Sequence, residues 1–285
     1  AGEGAMKQGK KREIISRMNS FPSMSGIAAK VLKLLDDPDA SADQVEQLLK
    51  QDPSLTANLL KLTNSAYFGI PSKVGSVRHA IAMLGWKRLS KLVMAACVSA
   101  ITDREIPGYD LQPGVLWQHS VAVSVTAEGL MRELKVAESD EIFTAALLHD
   151  LGKLILGGFV EEELDEIEKA AARGIPFQMA EQEVLGTDHA EIGALMLESW
   201  SFPPKLVSAV RWHHDPDSAP ETNPMTDIVH VANVLCLMIG IGIGVEGLHY
   251  EPSVAATKRL GIKPTQLELI ASRTLEWAKE LADAV

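Results

Sequence analysis

The sequence is poor in what a β-rich or nucleic-acid-binding protein needs. Aromatic residues make up only 5% of its 285 residues. Leu, Ala, Val, Ile and Met must therefore fill the interior, and that composition favours helices over strands. Positive charge is short, with 27 Lys and Arg against 38 Asp and Glu, a net charge of -11. That argues against a general nucleic-acid surface, which needs clustered basic side chains. The one basic cluster, Lys7 to Arg12, lies in a Gly-containing stretch, so residues 1–13 read as a flexible, solvated arm. There are only two cysteines, Cys97 and Cys236, each in an apolar helical run. They fit buried, reduced thiols of a cytoplasmic protein better than a disulfide. No secretory signal, Ser/His/Asp elbow, Gly-rich phosphate loop or Walker lysine is found. Neither a convincing strand nor an internal repeat stands out.

The run Ile228 to Val245 carries no charge and is long enough to raise the question of a membrane span. It contains His230, Asn233 and the glycines Gly240, Gly242 and Gly244. It reads as a buried helix ending in a Gly-rich loop, and no membrane is expected.

Helix punctuation is regular. Ser41-Ala42-Asp43-Gln44 has capping-box form, with Val45, Leu48 and Leu49 following on one face. Asp52-Pro53 reads as an N-cap with Pro at the first helical position. A helix from Val77 to Leu84 is broken by Gly85 and resumes from Lys87 to Thr102, and Pro264 opens a last helix toward Leu281. The Pro-Gly steps between Ile106 and Gly114 mark the best boundary. The acidic run Glu161 to Glu168 reads as the solvated face of one helix.

What remains is chemistry. His149 and Asp150 stand side by side in the apolar run Ala145-Ala146-Leu147-Leu148-His149-Asp150-Leu151-Gly152-Lys153-Leu154. Burying both is costly unless both have a partner. A divalent metal would satisfy both, and so would a hydrogen-bonded pair in the core. His119, His189, His213 and His214 lie in other helical segments. His and Asp spread over several helices are how helical proteins build metal sites in their cores. His79 and His249 lack that context and read as surface or hydrogen-bonded residues.

The order His119, His149-Asp150, His189, His213-His214 resembles the HD superfamily of metal-dependent phosphohydrolases. Phe21-Pro22-Ser23-Met24-Ser25, Asp52-Pro53-Ser54-Leu55, Leu62-Thr63-Asn64-Ser65-Ala66-Tyr67-Phe68-Gly69 and Ala80-Ile81-Ala82-Met83-Leu84-Gly85-Trp86 sharpen this. Together they are similar to the HDOD family, HD-related output domains of bacterial signalling proteins. The resemblance runs from about Ile14 to about Pro216. It implies an all-α, multi-helix HD-domain/PDEase-like architecture. An amino-terminal helical lobe (14–108) would precede an HD-like lobe with the His/Asp site (109–285).

The resemblance also implies a ligand set. His119, His149 and Asp150 match the metal ligands of HD proteins. His189, His213 and His214 match the extra histidines of members with a second metal, and Asp150 would bridge. One or two divalent ions are expected, with iron, manganese, nickel and zinc all open. Lys153 matches a lysine that meets substrate phosphate; were the site active, Asp150 and Lys153 would be its catalytic pair. Two departures stand out. The late ligand should be Asp in Ile-Val-x-x-Ala-Asp, but the chain reads Ile228-Val229-His230-Val231-Ala232-Asn233. An amide is a weaker ligand without negative charge, so Asn233 is a weak metal position. His213-His214 is followed by Asp215-Pro216-Asp217, without the Gly-Tyr-Pro element of cyclic-dinucleotide phosphodiesterases.

The expected function is a cytoplasmic signalling module acting through protein partners, with a His/Asp metal site and no assured catalysis. The alternatives are a metal-dependent phosphohydrolase with a nucleotide or phosphoester ligand, and a metal- or redox-sensing switch. No nucleic-acid partner is expected. Asn64 to Gly69 reads either as a docking loop or as a structural turn.

Overall fold

A computed structural model of the chain describes residues 2–21, 26–136, 141–242, 244–245 and 250–282. Among these the named elements are all helical, and β pairing is limited to an isolated bridge between Ile106 and Leu111. The all-α expectation holds. The chain divides into two compact units. One joins Ala1–Phe21 to Arg104–Thr274, and the other joins Pro22–Asp103 to Leu275–Val285.

The first helix corrects the expectation of a flexible arm. α1 (Gly2–Asn19) covers it and belongs to the larger unit. Gly4 and Gly9 weaken it as an isolated helix, and tertiary contacts add support. Ile14 and Met18, one turn apart, are buried. Lys10 pairs with Glu163, and Lys11 Nζ stands 2.8 Å from Glu191 Oε1. The basic cluster is thus partly spent on the protein's own carboxylates.

The smaller unit holds α2 (Gly26–Leu35), α3 (Ala42–Leu49), α4 (Pro53–Thr63) and α5 (Val77–Thr102). Ser41 and Gln44 form the expected capping box, and Asp52 Oδ1 accepts from the Leu55 N–H at 3.0 Å with Pro53 at the first helical position. Gly85, at φ 75°, interrupts α5 where the sequence predicts a break. Val31, Val45, Leu49, Leu59 and Leu89 build an apolar core. Between α4 and α5, the Asn64 side chain accepts from the Val74 N–H at 2.7 Å and donates to the Val74 carbonyl at 2.8 Å. Asn64 therefore closes a loop. Residues 22–25, part of the segment opening at Phe21, and His249 lie outside the described residues.

The larger unit continues with α6 (Val115–Glu133), α7 (Glu141–Leu148), α8 (Lys153–Glu162), α9 (Leu164–Ala171), α10 (Phe177–Leu185), α11 (His189–Ser199), α12 (Pro204–Trp212), α13 (Pro224–Met238) and α14 (Val254–Leu260). α15 (Pro264–Ala282) starts in this unit. The acidic run does not lie on one helix: it breaks at Glu163, between α8 and α9, with Ile167 turned inward. α13 is buried on every side from Met225 to Leu237, so its lack of charge reflects a core position. The stretch Glu141–Glu162 is long and apolar enough to cross a membrane, but its apolar residues are largely buried within the protein and a turn at 149–152 interrupts it.

Candidate metal centre

The His-Asp doublet sits on the turn between α7 and α8, not within a helix. Two tight backbone approaches shape what surrounds it. At Gly152 a Cβ would fall 1.8 Å from the His189 carbonyl oxygen, so only glycine lets the turn rest on the start of α11. At Gly242 (φ 77°) a Cβ would strike the His119 Cβ at 2.5 Å and its ring at 2.6 Å. Next to it, the Ile241 carbonyl accepts from His119 Nδ1 at 2.9 Å.

The other residues arrive from separate helices. His119 lies inside α6, His189 opens α11, His213 and His214 follow α12, and Asn233 lies on α13. All the expected site residues come together. Asp150 is 1% exposed and is the hub. Its Oδ1 lies 3.5 Å from His189 Nε2 and 3.6 Å from His213 Nε2. Its Oδ2 lies 3.3 Å from His149 Nε2, 3.6 Å from His119 Nε2 and 2.7 Å from Lys153 Nζ. His189 Nε2 is 2.8 Å from His214 Nε2. Asn233 Oδ1 is 3.0 Å from His119 Nε2.

Backbone and carboxylate acceptors turn the rings inward. His149 Nδ1 donates to the Ala146 carbonyl at 2.6 Å, and His213 Nδ1 to the Val210 carbonyl at 2.7 Å. Each bond fixes the tautomer and leaves an Nε2 lone pair facing the cluster. Burial pushes the pKa of His119 down to about 4, that of His213 down to about 3, and that of His214 well below its usual value. These imidazoles are neutral at neutral pH, the form that ligates. Burial alone would raise the Asp150 carboxyl, but the His149 ring and the Lys153 ammonium outweigh it and hold it well below the carboxylate range.

The donor set fits a divalent ion. His149 Nε2, Asp150 Oδ1, His213 Nε2 and His214 Nδ1 are buried without a hydrogen-bond partner. Unsatisfied atoms of this kind are costly and rarely gather in one place without a function. Two donor groups share Asp150: Asp150, His189, His213 and His214, and His119, His149 and Asp150. In each, the donor atoms lie within 4.8 Å of one another.

Two residues went unread in the sequence. Glu181 on α10 is fully buried, and its carboxylate accepts from His189 Nδ1 at 2.8 Å and from the His189 N–H at 3.0 Å. The Tyr109 hydroxyl donates to the same carboxylate at 2.6 Å. A carboxylate behind a histidine raises its basicity and locks its orientation. The available signal was the apolar stripe Phe177, Ala180, Leu185, on which Glu181 sits. Lys153 is only 4% exposed and lies 5.4 Å over the Tyr109 ring. Asp227 is held by Arg259 in two hydrogen bonds of 2.7 and 2.9 Å. His230 donates from Nδ1 to the His213 carbonyl at 2.7 Å and accepts the Ser253 N–H at Nε2.

An all-helical unit that gathers five histidines and an aspartate around one buried point belongs with the HD-like helical folds. More narrowly, the HDOD domain model matches residues 21–216, most of the chain, and the chain belongs to that family. A protein of Treponema pallidum (strain Nichols) is 27% identical over 227 residues, covering 78% of this chain and 43% of its own length. The chain thus spans less than half of that curated relative. An HDOD domain protein from Geobacter sulfurreducens has a similar structure, with a TM-score of 0.73 and 24% identity over 98% of this chain and 93% of its own. A protein of Shewanella amazonensis SB2B, named provisionally as a phosphohydrolase, superposes with a TM-score of 0.72 and 26% identity over 94% of this chain and 97% of its own.

Proposed function

We propose that the chain is a cytoplasmic signal-transduction module whose His/Asp cluster holds a divalent metal and whose output passes through protein partners. The observation that carries the metal reading is that His149 Nε2, Asp150 Oδ1 and His213 Nε2 are buried without partners inside the two donor groups that share Asp150. The residues orient and neutralise. His189 is braced by Glu181, His213 by its own turn and by His230, and Asp150 supplies the negative charge. A bound divalent metal would supply Lewis acidity and a more acidic water.

A second reading, metal-dependent phosphoester hydrolysis, draws on the Shewanella relative's name and on Lys153 beside the cluster. The ion pair of Lys153 with Asp150 weighs against a phosphate-binding role, as Asn233 weighs against a full ligand set. A third reading, a metal- or redox-sensing switch, draws on the same cluster; a thiol route to it has little support, because burial pushes the thiols of both Cys97 and Cys236 up to about 12.

Elemental analysis of protein purified without a metal-affinity tag tests the proposal. The control is the double variant Asp150→Ala/Lys153→Met, which removes the hub without stranding a buried ammonium. Near-stoichiometric metal in the parent and none in the variant is the expected result. A folded parent that neither carries nor takes up a divalent metal overturns it.

A further inference from the structure

We infer that the centre is asymmetric: a single ion is held by Asp150 Oδ1 with His189, His213 and His214, and Lys153 and Asn233 keep a second ion out of the His119–His149 half. This rests on the metal-binding reading above.

Spacing does not separate the halves. Bonds of about 2.0–2.1 Å around a tetrahedral zinc place its donors about 3.4 Å apart. Asp150 Oδ1 is 3.5 and 3.6 Å from His189 and His213, and Oδ2 is 3.3 and 3.6 Å from His149 and His119. Charge and hydrogen bonding do separate them. Oδ2 already faces the Lys153 ammonium at 2.7 Å, in a buried setting where a second cation on the same oxygen would be repelled with little screening. Oδ1 has no partner.

The imidazoles divide the same way. His119 Nδ1 donates to the Ile241 carbonyl, so a neutral ring presents a lone pair at Nε2. Asn233 stands 3.0 Å from it. An amide can turn its N–H toward that lone pair and satisfy it without metal, which an aspartate could not do. In the other half His189 Nε2 meets His214 Nε2 at 2.8 Å, yet Asp150 Oδ1, His213 Nε2 and His214 Nδ1 lack partners; in this half only His149 Nε2 does. Glu181 also braces His189, whereas backbone carbonyls take the Nδ1 protons of His119 and His149. Three histidines and a carboxylate against two histidines, an amide and a competing ammonium decide the order of filling.

The test is a calorimetric titration of the full chain with Zn2+, with metal content measured after desalting. Four proteins are compared: the parent, His213→Ala, His149→Ala, and the double variant Lys153→Met/Asn233→Asp. The parent should take one equivalent. His213→Ala should weaken binding by more than about 100-fold, beyond what loss of an outer partner costs. His149→Ala should stay within about threefold of the parent, since it removes no ligand of the filled half. The double variant should approach two equivalents. If His213→Ala does not fold, half-buried His214→Ala asks the same question. Two equivalents in the parent, or binding lost with His149→Ala and kept with His213→Ala, overturns the asymmetry and leaves the metal reading standing. A parent that takes no Zn2+ overturns the metal reading itself.

Discussion

The two units bury very different things. Among the described residues of the smaller unit, the buried polar side chains are Thr63, Ser65 and Thr102, and both threonines hydrogen-bond within their own helices. The larger unit buries His119, His149, Asp150, Lys153, Glu181, Asp188, His189, His213, Asp227 and His230. Apolar packing, helix caps and the Asn64 loop bonds stabilise the first without a buried charge. The second accepts a desolvation cost that packing does not require. A fold seldom buries so many ionisable groups unless they act together, and that places the chemistry in the larger unit.

The largest test of this contrast is the Asp150–Lys153 pair. Asp150→Ala strands an ammonium in the interior and should cost about 3–5 kcal/mol of stability in metal-free protein, read by denaturant titration. Adding Lys153→Met should recover most of that loss. No recovery would mean that the pair is not the electrostatic unit its 2.7 Å separation indicates.

Next comes acidity. His119 and His213 have pKa values near 4 and 3 in the folded chain, below the usual histidine value. The unfolded chain therefore binds more protons, and stability falls as pH drops from about 6.5 toward 4. Each ring forfeits on the order of 3 kcal/mol across that window. Hydrogen exchange on metal-free protein should show protection lost first in α6, α7 and α12. Equal loss in α2 to α5 would erase the difference between the units.

The smallest effect concerns the smaller unit. Asn64→Ala removes both bonds to Val74 and should cost about 1–2 kcal/mol, with metal content unchanged. A change in metal content would show that the loop does more than close.

Local physics was legible and long-range pairing was not. Ser41 with Gln44, Asp52 with Pro53, and Gly85 act within a turn of themselves, so each could be read where it stands. The histidines were legible because polar residues in apolar runs need partners. α1 was not: Ile14, Met18 and two lysines make it a helix through groups far along the chain. Glu181 and Tyr109, 72 residues apart, meet only in the fold. Lys153 was visible as a residue, but its direction toward Asp150 was not.

His230 gives the cluster an outside connection. Arg259 on α14 bonds Asp217 at 2.8 Å, and Ser253 Oγ donates to the same carboxylate at 2.6 Å. The Ser253 N–H holds His230, which holds the carbonyl of His213. A chain of four hydrogen bonds thus runs from Arg259 to the backbone of His213, whose ring faces Asp150. Anything that shifts α14 has these four bonds as a direct route to His213.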